Sequence, residues 1–385
     1  MSLNETAVPP PTTGKRIGIN AHLLAGKASY RRAGIHQYIY QVLRHLPPKN
    51  DYTVYTRHGG DLAAKGMKLV SSHWPTERRL VRILWEQLRW PLLAKRHKID
   101  LLHSTAFVLP LALPAPAIVT IYDLSFMHYP ERFPSLQRRY LQGQTAQACR
   151  RARRVITISE SGRQDVHRFF GVPLAQIDVV TPGVDEAYQP LPAEEVAAFR
   201  QRRGLPSRFV LHVGTLQPRK NIPTLLEAFA RLPLLDVHLV LVGGKGWLYD
   251  EIFARVTALN LQERVHFTGY VPDEELSLWY NAAALLAFPS VYEGFGLPVV
   301  EAMACGTPVA AANTSSIPEA AGDAALLFDP LDVQELADCM TAVLQDTSLA
   351  ATMREKGLTQ AQQFSWARAG WETAVAYQRA LTDIP

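Results

Sequence analysis

Cysteine is scarce in this chain: three residues in 385, Cys149, Cys305 and Cys339, scattered and odd in number. That excludes a disulfide framework and metal-type cysteine spacing, and it suits a reducing compartment. Long apolar runs are missing too. The best candidate, 108–122, is interrupted by Pro110, Pro114 and Pro116 and is too short to span a bilayer. Met1 to Gly14 is polar and proline-rich with no apolar core. It predicts a disordered tail rather than a secretory leader. No internal repeat of roughly 20 to 50 residues is visible, so a solenoid or propeller is not indicated.

Charge is present but uneven. The net value of +5 hides 26 Lys and Arg against 13 Asp and Glu up to residue 190, and 14 against 22 beyond it. A basic first half and an acidic second half predict two units with different partners; chance surface composition is the plain alternative. The length also suggests two domains, and the 48% apolar content is enough for two cores. The basic half is expected to face phosphate-bearing acceptors or an anionic membrane. Within it, Arg78, Arg79, Arg82, Arg89, Lys95, Arg96 and Lys98 interleave with Leu80, Ile83, Leu84, Trp85, Leu88 and Trp90. Such a helix either covers the first sheet with its arginines solvated, or lies on a membrane surface with its tryptophans in the interface.

Short apolar strands alternate with helical patterns throughout. The strand candidates of the first half are 16–20, 52–56, 99–103, 117–121 and 154–158; those of the second are 208–213, 237–242, 264–267, 283–288 and 308–311. Helical stretches such as 34–46, 135–150, 222–230, 249–258 and 333–344 lie between them. Near-continuous apolar strands separated by helices imply parallel sheets covered on both faces, and ten strands exceed one ordinary open sheet. The expected fold is therefore α/β, with two doubly wound Rossmann-like domains. The expected division is a tail at 1–14, an N-terminal domain at 15–190, and a second domain at 191–364 after the proline-rich linker Tyr188-Gln189-Pro190-Leu191-Pro192. A last helix, within 365–385, carries Trp366, Trp371, Ala374 and Tyr377 at helical spacing, as a packing stripe.

The densest chemistry lies between Glu293 and Glu301, which bracket Gly294-Phe295-Gly296-Leu297-Pro298. An apolar strand precedes this stretch and a short helix opens at Pro298, where a missing N–H costs little. Gly294 and Gly296 let backbone approach a ligand, and the helix start offers an anion site. Two carboxylates around such a loop suit a ligand with phosphates at one end and hydroxyls at both, as in a sugar nucleotide. A glycosidase pair is the competing reading, and it demands a set carboxyl separation. The same strand–glycine–helix pattern occurs at Gly214-Thr215-Leu216-Gln217-Pro218-Arg219-Lys220-Asn221, with Asn221 placed to cap the helix. Arg219 and Lys220 fall at a strand's carboxyl end, where two cations can hold a diphosphate and stabilise it as it leaves. Gly243-Gly244-Lys245-Gly246 and Gly269-Tyr270-Val271-Pro272 end two further strands. No Asp-x-Asp pair occurs, so no metal–diphosphate bridge is indicated.

These residues resemble family 4 of the retaining glycosyltransferases, with the GT-B fold of two domains facing each other across a cleft. The resemblance runs from Arg16 to about Tyr377, with support from Gly34-Ile35-His36-Gln37-Tyr38, from Tyr122 through Pro130, from Ser159-Glu160-Ser161 and from Thr181 through Asp185. Within the family the chain looks most like bacterial enzymes that add mannose or related sugars to O-antigen and other surface polysaccharides. The resemblance implies that Glu293 holds donor-sugar hydroxyls, that Glu301 holds the ribose hydroxyls, and that backbone N–H groups of Gly294 to Leu297 meet sugar and phosphate oxygens. It assigns Arg219 and Lys220 to the diphosphate, the Val271 backbone to the base, Gly34 to the loop where acceptor and diphosphate approach, and Gly214, Thr215, Gly243 and Gly244 to the donor loops. The first domain would take the acceptor, and the C-terminal helix would pack back on it. Relatives commonly carry histidine at the position of Tyr122. Here Tyr122, followed by Asp123, is expected to hydrogen-bond in its place, with His103 and His128 as nearby histidines whose ordinary role is structural.

The expected activity is retaining, metal-independent transfer of a hexose to a glycan or lipid-linked saccharide. Mannose from GDP-mannose is the first choice of donor and a UDP-sugar the alternative. No cofactor, no metal and no nucleic-acid partner are expected. The expected location is cytoplasmic, with peripheral contact to an anionic membrane. The rivals are a sugar-nucleotide epimerase, a phosphorylase on the same plan, and a sugar-nucleotide-binding protein without catalysis.

Overall fold

The computed structural model describes residues 14–24, 34–58, 60–244, 246 and 249–382. The expected tail up to residue 13, and Lys245 of the second glycine loop, lie outside them. The chain divides into two compact units. One runs to Gly183 and resumes at Trp366; the other is Val184–Ser365.

The first unit is built on seven strands: β1 (Arg16–Asn20), β2 (Asp51–Thr56), β3 (Lys68–Ser71), β4 (Leu101–Ser104), β5 (Ala117–Ile121), β6 (Arg154–Thr157) and β7 (Ile177–Val179). Every pairing is parallel, in the order β3-β2-β1-β4-β5-β6-β7. β4, β5 and β6 are buried along their whole length, the reason β5 is a nearly unbroken apolar run and the polar residues of β4 and β6 are buried with the rest. Their crossovers are α1 (Ile35–His45), α2 (Arg79–Leu84), α3 (Trp90–Arg96), α4 (Ser125–His128), α5 (Ser135–Arg151) and α6 (Glu160–Phe170). Ser159 caps α6 through its hydroxyl, which accepts from the Gly162 N–H.

In the second unit α7 (Ala193–Arg203) leads into β8 (Arg208–Val213), α8 (Ile222–Ala230), β9 (Val237–Val242), α9 (Asp250–Ala258), β10 (Val265–Gly269), α10 (Asp273–Ala282), β11 (Leu285–Phe288), α11 (Leu297–Ala304), β12 (Val309–Ala312), α12 (Ile317–Ala321), β13 (Leu326–Phe328), α13 (Val333–Gln345) and α14 (Thr347–Ala361). Its six strands are again all parallel, in the order β10-β9-β8-β11-β12-β13. Strand order reverses between β8 and β11, so their carboxyl ends open the crevice at which such sheets bind ligands.

The last helix, α15 (Trp366–Thr382), belongs to the first unit. It lies so close to α1 that a Cβ on Gly370 would sit 2.3 Å from the His45 carbonyl oxygen. The Tyr377 hydroxyl meets His103 Nδ1 at 2.8 Å, and Arg379 reaches Asp178 at 2.6 Å. Asp178 also holds the buried Arg154 through its other contacts. Trp366, Ala374 and Tyr377 are buried, but Trp371 of the expected packing stripe is exposed, with Lys49 Nζ 5.5 Å from its ring centroid.

Candidate functional site

The loops after β8, β9 and β10 are joined by glycine backbone. Gly214 N–H donates to the Val242 carbonyl at 2.8 Å, Gly243 N–H to Gly269 at 2.9 Å, and Leu216 N–H to Gly244 at 3.0 Å. Gly243, at φ 151°, leaves no room for any side chain, because a Cβ there would lie 2.0 Å from the Gly214 carbonyl oxygen. Gly244 has open space, and Thr215 is exposed beside it. The Gly243 requirement is thus steric, and the loops it joins stand next to the cations that follow β8.

Those cations sit on a single tight turn, Pro218–Lys220, and both turn onto one carboxylate. Lys220 Nζ donates to Glu293 Oε1 at 2.6 Å, and Arg219 Nη1 to Glu293 Oε2 at 2.6 Å and to the Tyr292 carbonyl at 2.8 Å. Lys220 and Glu293 are both buried, and burial raises the cost of the carboxylate charge, but Arg219 and Lys220 outweigh it and hold Glu293 at about 2. Burial pushes the Lys220 ammonium downward from its usual value, against the attraction of Glu293. Glu293 therefore stays ionised, able to accept hydrogen bonds and unable to supply a proton at neutral pH. Its backbone is fixed as well. The Glu293 N–H donates to Ser315 Oγ at 2.9 Å, and Ser316 Oγ donates to the Glu293 carbonyl at 2.9 Å.

Gly296, at φ 111°, turns the chain into α11. One turn on, Glu301 Oε2 accepts from the Tyr280 hydroxyl at 2.7 Å. Burial raises the Glu301 carboxyl to about 7; the Tyr280 hydrogen bond opposes that rise, while Asp273 and Asp185 add to it. The two glutamates are thus driven apart, one fully ionised and one poised near neutrality. Phe295 is buried against Phe364, with ring centroids 5.2 Å apart, which anchors the loop between them. Gly294 and Leu297 are half-buried on either side. Val271 is buried just past β10, at the start of α10.

Asn221 does not cap α8. It adopts a left-handed φ of 54°, its amide donates to the Pro330 carbonyl at 2.7 Å, and its Oδ1 accepts from Thr224 Oγ1 at 2.9 Å. Pro223 removes one of the N–H groups a cap would have served.

Two features were not anticipated. His212, in the apolar run of β8, is fully buried; its Nδ1 is 3.1 Å from the Ala287 carbonyl, and its Nε2 has no hydrogen-bond partner. Burial, then the Lys220 charge, lowers it to about 4, so it is neutral. A side chain on Gly214 would meet Lys220 Cε at 3.0 Å and His212 Nε2 at 3.4 Å, so the three line one small space. Phe288 completes it, its ring centroid 4.9 Å from Lys220 Nζ. The sequence signal was a lone polar residue in an apolar strand. The second feature, the Ser315–Ser316 clamp, had none.

The remaining candidates belong to the first unit. Tyr122 is buried, and its hydroxyl donates to the Thr105 carbonyl at 2.6 Å while its ring packs edge-on to Tyr38. Its proton is committed to its own domain. Asp123 Oδ1 accepts from the Ser125 N–H at 2.9 Å and so shapes the start of α4. Gly34 holds φ 59° at the N-terminus of α1. His103 bridges Tyr377 and Thr120 at 2.8 Å each, and His128 Nε2 meets Asp165 at 2.8 Å.

Two family models match the chain: "Glycosyltransferase Family 4" over residues 32–188 and "Glycosyl transferases group 1" over residues 195–360. The chain is similar to O-antigen chain mannosyltransferase B of Escherichia coli, with 35% identity over 293 residues, which is 75% of this chain and 76% of that protein. It is also similar to the serotype-specific mannosyltransferase WbdA of Escherichia coli, at 30% identity over 240 residues, which span 60% of this chain but 29% of that protein. Among solved structures it superposes on a sucrose-phosphate synthase from Thermosynechococcus elongatus with a TM-score of 0.73 and 22% identity, over 95% of this chain and 98% of that one. The two parallel-sheet units are those of the GT-B fold.

Proposed function

The chain belongs to glycosyltransferase family 4, the group 1 glycosyl transferases, and on that premise we propose that it moves a hexose from a nucleoside diphosphate sugar to a glycan or lipid-linked saccharide in surface-polysaccharide synthesis. Mannose carried on GDP is the donor we infer, because the Escherichia coli relative at 35% identity is an O-antigen chain mannosyltransferase. The observation that carries the reading is the convergence of Arg219 and Lys220 on Glu293, where strand order reverses. Preorganised cations there neutralise charge as it develops on a departing diphosphate, with no reorganisation at the moment of reaction.

In this reading the acceptor hydroxyl attacks the anomeric carbon on the face from which the diphosphate departs, and a leaving phosphate oxygen takes the acceptor's proton. Configuration is retained. Glu293 orients the two cations and accepts hydrogen bonds from sugar hydroxyls; its charge excludes it as the acid. Glu301 takes the ribose hydroxyls and the Val271 backbone the base. The backbone of Gly214, Thr215, Gly243, Gly244 and Gly294 through Leu297 lines the donor. Neither metal nor organic cofactor is required. Free cysteines fit a cytoplasmic setting, and no helix among the described residues is long and apolar enough to cross a membrane.

The test is product analysis with GDP-mannose, and with UDP-glucose in parallel, on a panel of glycan and lipid-linked acceptors, with and without a chelator. The expected product keeps the donor's anomeric configuration, depends on an acceptor and is insensitive to chelation. An inverted product, loss of turnover on chelation, or nucleotide release without any acceptor each overturns a stated part of the mechanism.

A further inference from the structure

The basic segment 78–98 has a face that its sequence conceals. α2 runs directly into α3 through a single π-helical turn, Trp85–Arg89. Trp85, Trp90 and Ala94 are buried against the first sheet, so the tryptophans are the inward side. The outward side is aliphatic: Leu80, Leu84, Leu88 and Leu92 are 75%, 52%, 58% and 63% exposed. Four-residue spacing on a plain α-helix drifts by about 120° over twelve residues, which would scatter these leucines. The extra residue of a π turn takes back about 100°, leaving Leu80 and Leu92 within about 20° of each other. Pro91 accounts for the turn: its ring presses on the carbonyl four residues back, at Gln87, and a wider turn relieves it.

Neighbouring elements extend the ridge. The Gln87 side chain accepts from the Leu111 N–H at 2.9 Å and donates to the Leu109 carbonyl at 3.3 Å, which puts exposed Leu111 beside the π turn. The Arg79 guanidinium lies 5.0 Å from the Tyr140 ring centroid, and exposed Leu136 is one turn before Tyr140 on α5. Seven Lys and Arg occur between residues 77 and 98 against two acids: Glu77, which is paired with Arg57, and Glu86, which is buried beside Asn20.

We propose that the leucine ridge Leu80–Leu84–Leu88–Leu92, with its flanking Arg78, Arg89, Lys95 and Arg96, is a docking surface for an anionic lipid bilayer. The ridge is about 18 Å long. Its side chains are aliphatic, its flanks are cationic, Glu86 faces inward and Glu77 is neutralised by Arg57. These are the features of a helix seated at the headgroup boundary, where each Lys or Arg near an anionic surface adds roughly fivefold to binding. Resting on the acceptor role proposed above for the first unit, such docking would bring that unit to lipid-linked saccharides.

The test is co-sedimentation of the full chain with phosphatidylcholine vesicles and with phosphatidylcholine–phosphatidylglycerol vesicles. Strong binding is expected only to the mixed vesicles, weakening as salt rises. Leu84→Gln/Leu88→Gln and Arg89→Glu/Lys95→Glu are expected to cut it at least about tenfold each while leaving thermal unfolding and transfer to a water-soluble acceptor unchanged. Equal binding by wild type and both variants overturns the proposal. So does binding that ignores phosphatidylglycerol, or a lipid-free dimer that dissociates in the leucine variant, which would assign the ridge to a second copy. Failure of donor transfer with intact vesicle binding would instead count against the catalytic reading.

Discussion

The buried pair of Lys220 and Glu293 makes the sharpest prediction. Lys220→Met keeps the volume of the stem and removes the ammonium, leaving Glu293 with Arg219 alone. Breaking a buried ion pair costs about 3 to 5 kcal/mol, and the lower end applies because Arg219 still holds the second oxygen. At about 3 kcal/mol, a domain of this size should lose roughly 6 to 12 °C of Tm. If Lys220 holds the leaving diphosphate as proposed, transfer should fall at least about 100-fold, or about 2.7 kcal/mol of transition-state stabilisation, because that cation is gone. Lys220→Met/Glu293→Gln separates the two effects. With both charges removed no ion is stranded, so most of the lost stability returns while transfer stays low. The pH dependence carries a definite sign. Glu293 is held at about 2, below its ordinary 4.5, so its contribution is full above pH 4.5 and is lost as pH falls through about 2. The advantage of wild type over Glu293→Gln should therefore shrink across that window. Calorimetric unfolding and steady-state transfer measure both quantities. Near-wild-type transfer by Lys220→Met, or transfer restored in the double variant, refutes the argument.

Three further outcomes follow from the geometry. Tyr122→Phe removes only the bond to the Thr105 carbonyl and should cost about 1 kcal/mol of stability with transfer kept within a few-fold; a 100-fold loss in a stably folded variant would restore a role in the reaction. Glu301 is raised to about 7 in the free protein, so donor affinity should rise about tenfold from pH 6 to pH 8 as its carboxylate forms, while its contribution to stability, full below pH 4.5, declines through about 7; Glu301→Gln should flatten both, and an unchanged profile removes the ribose assignment. Gly243→Ala should cost about 3 kcal/mol, because its Cβ would lie 2.0 Å from the Gly214 carbonyl, whereas Gly244→Ala, with open space, should unfold like wild type; equal melting curves refute the steric account.

What the sequence discloses depends on how local the cause is. Central strands are legible because burial on both faces forces nearly every residue to be apolar, as in β5 and β9. The edge strands β3, β7 and β13 escaped notice because each is three or four residues long and only partly buried, so no run or alternation accumulates. In the second unit, glycines after strands announce loops. That Arg219 and Lys220 share one carboxylate is not announced, since Lys220 and Glu293 stand 73 residues apart and meet only through the β8–β11 neighbourhood. Segment 77–98 is the most instructive case. The helix that covers the first sheet with its arginines solvated, the first of its two sequence readings, is the one that forms, yet periodicity assumes an unbroken helix and so does not show the outward leucines. One π turn before Pro91 resets the register, buries Trp85 and Trp90, and aligns four leucines that an ideal α-helix would have scattered. An amphipathic face is therefore a property of the helix actually formed, and a single proline can decide which residues it presents.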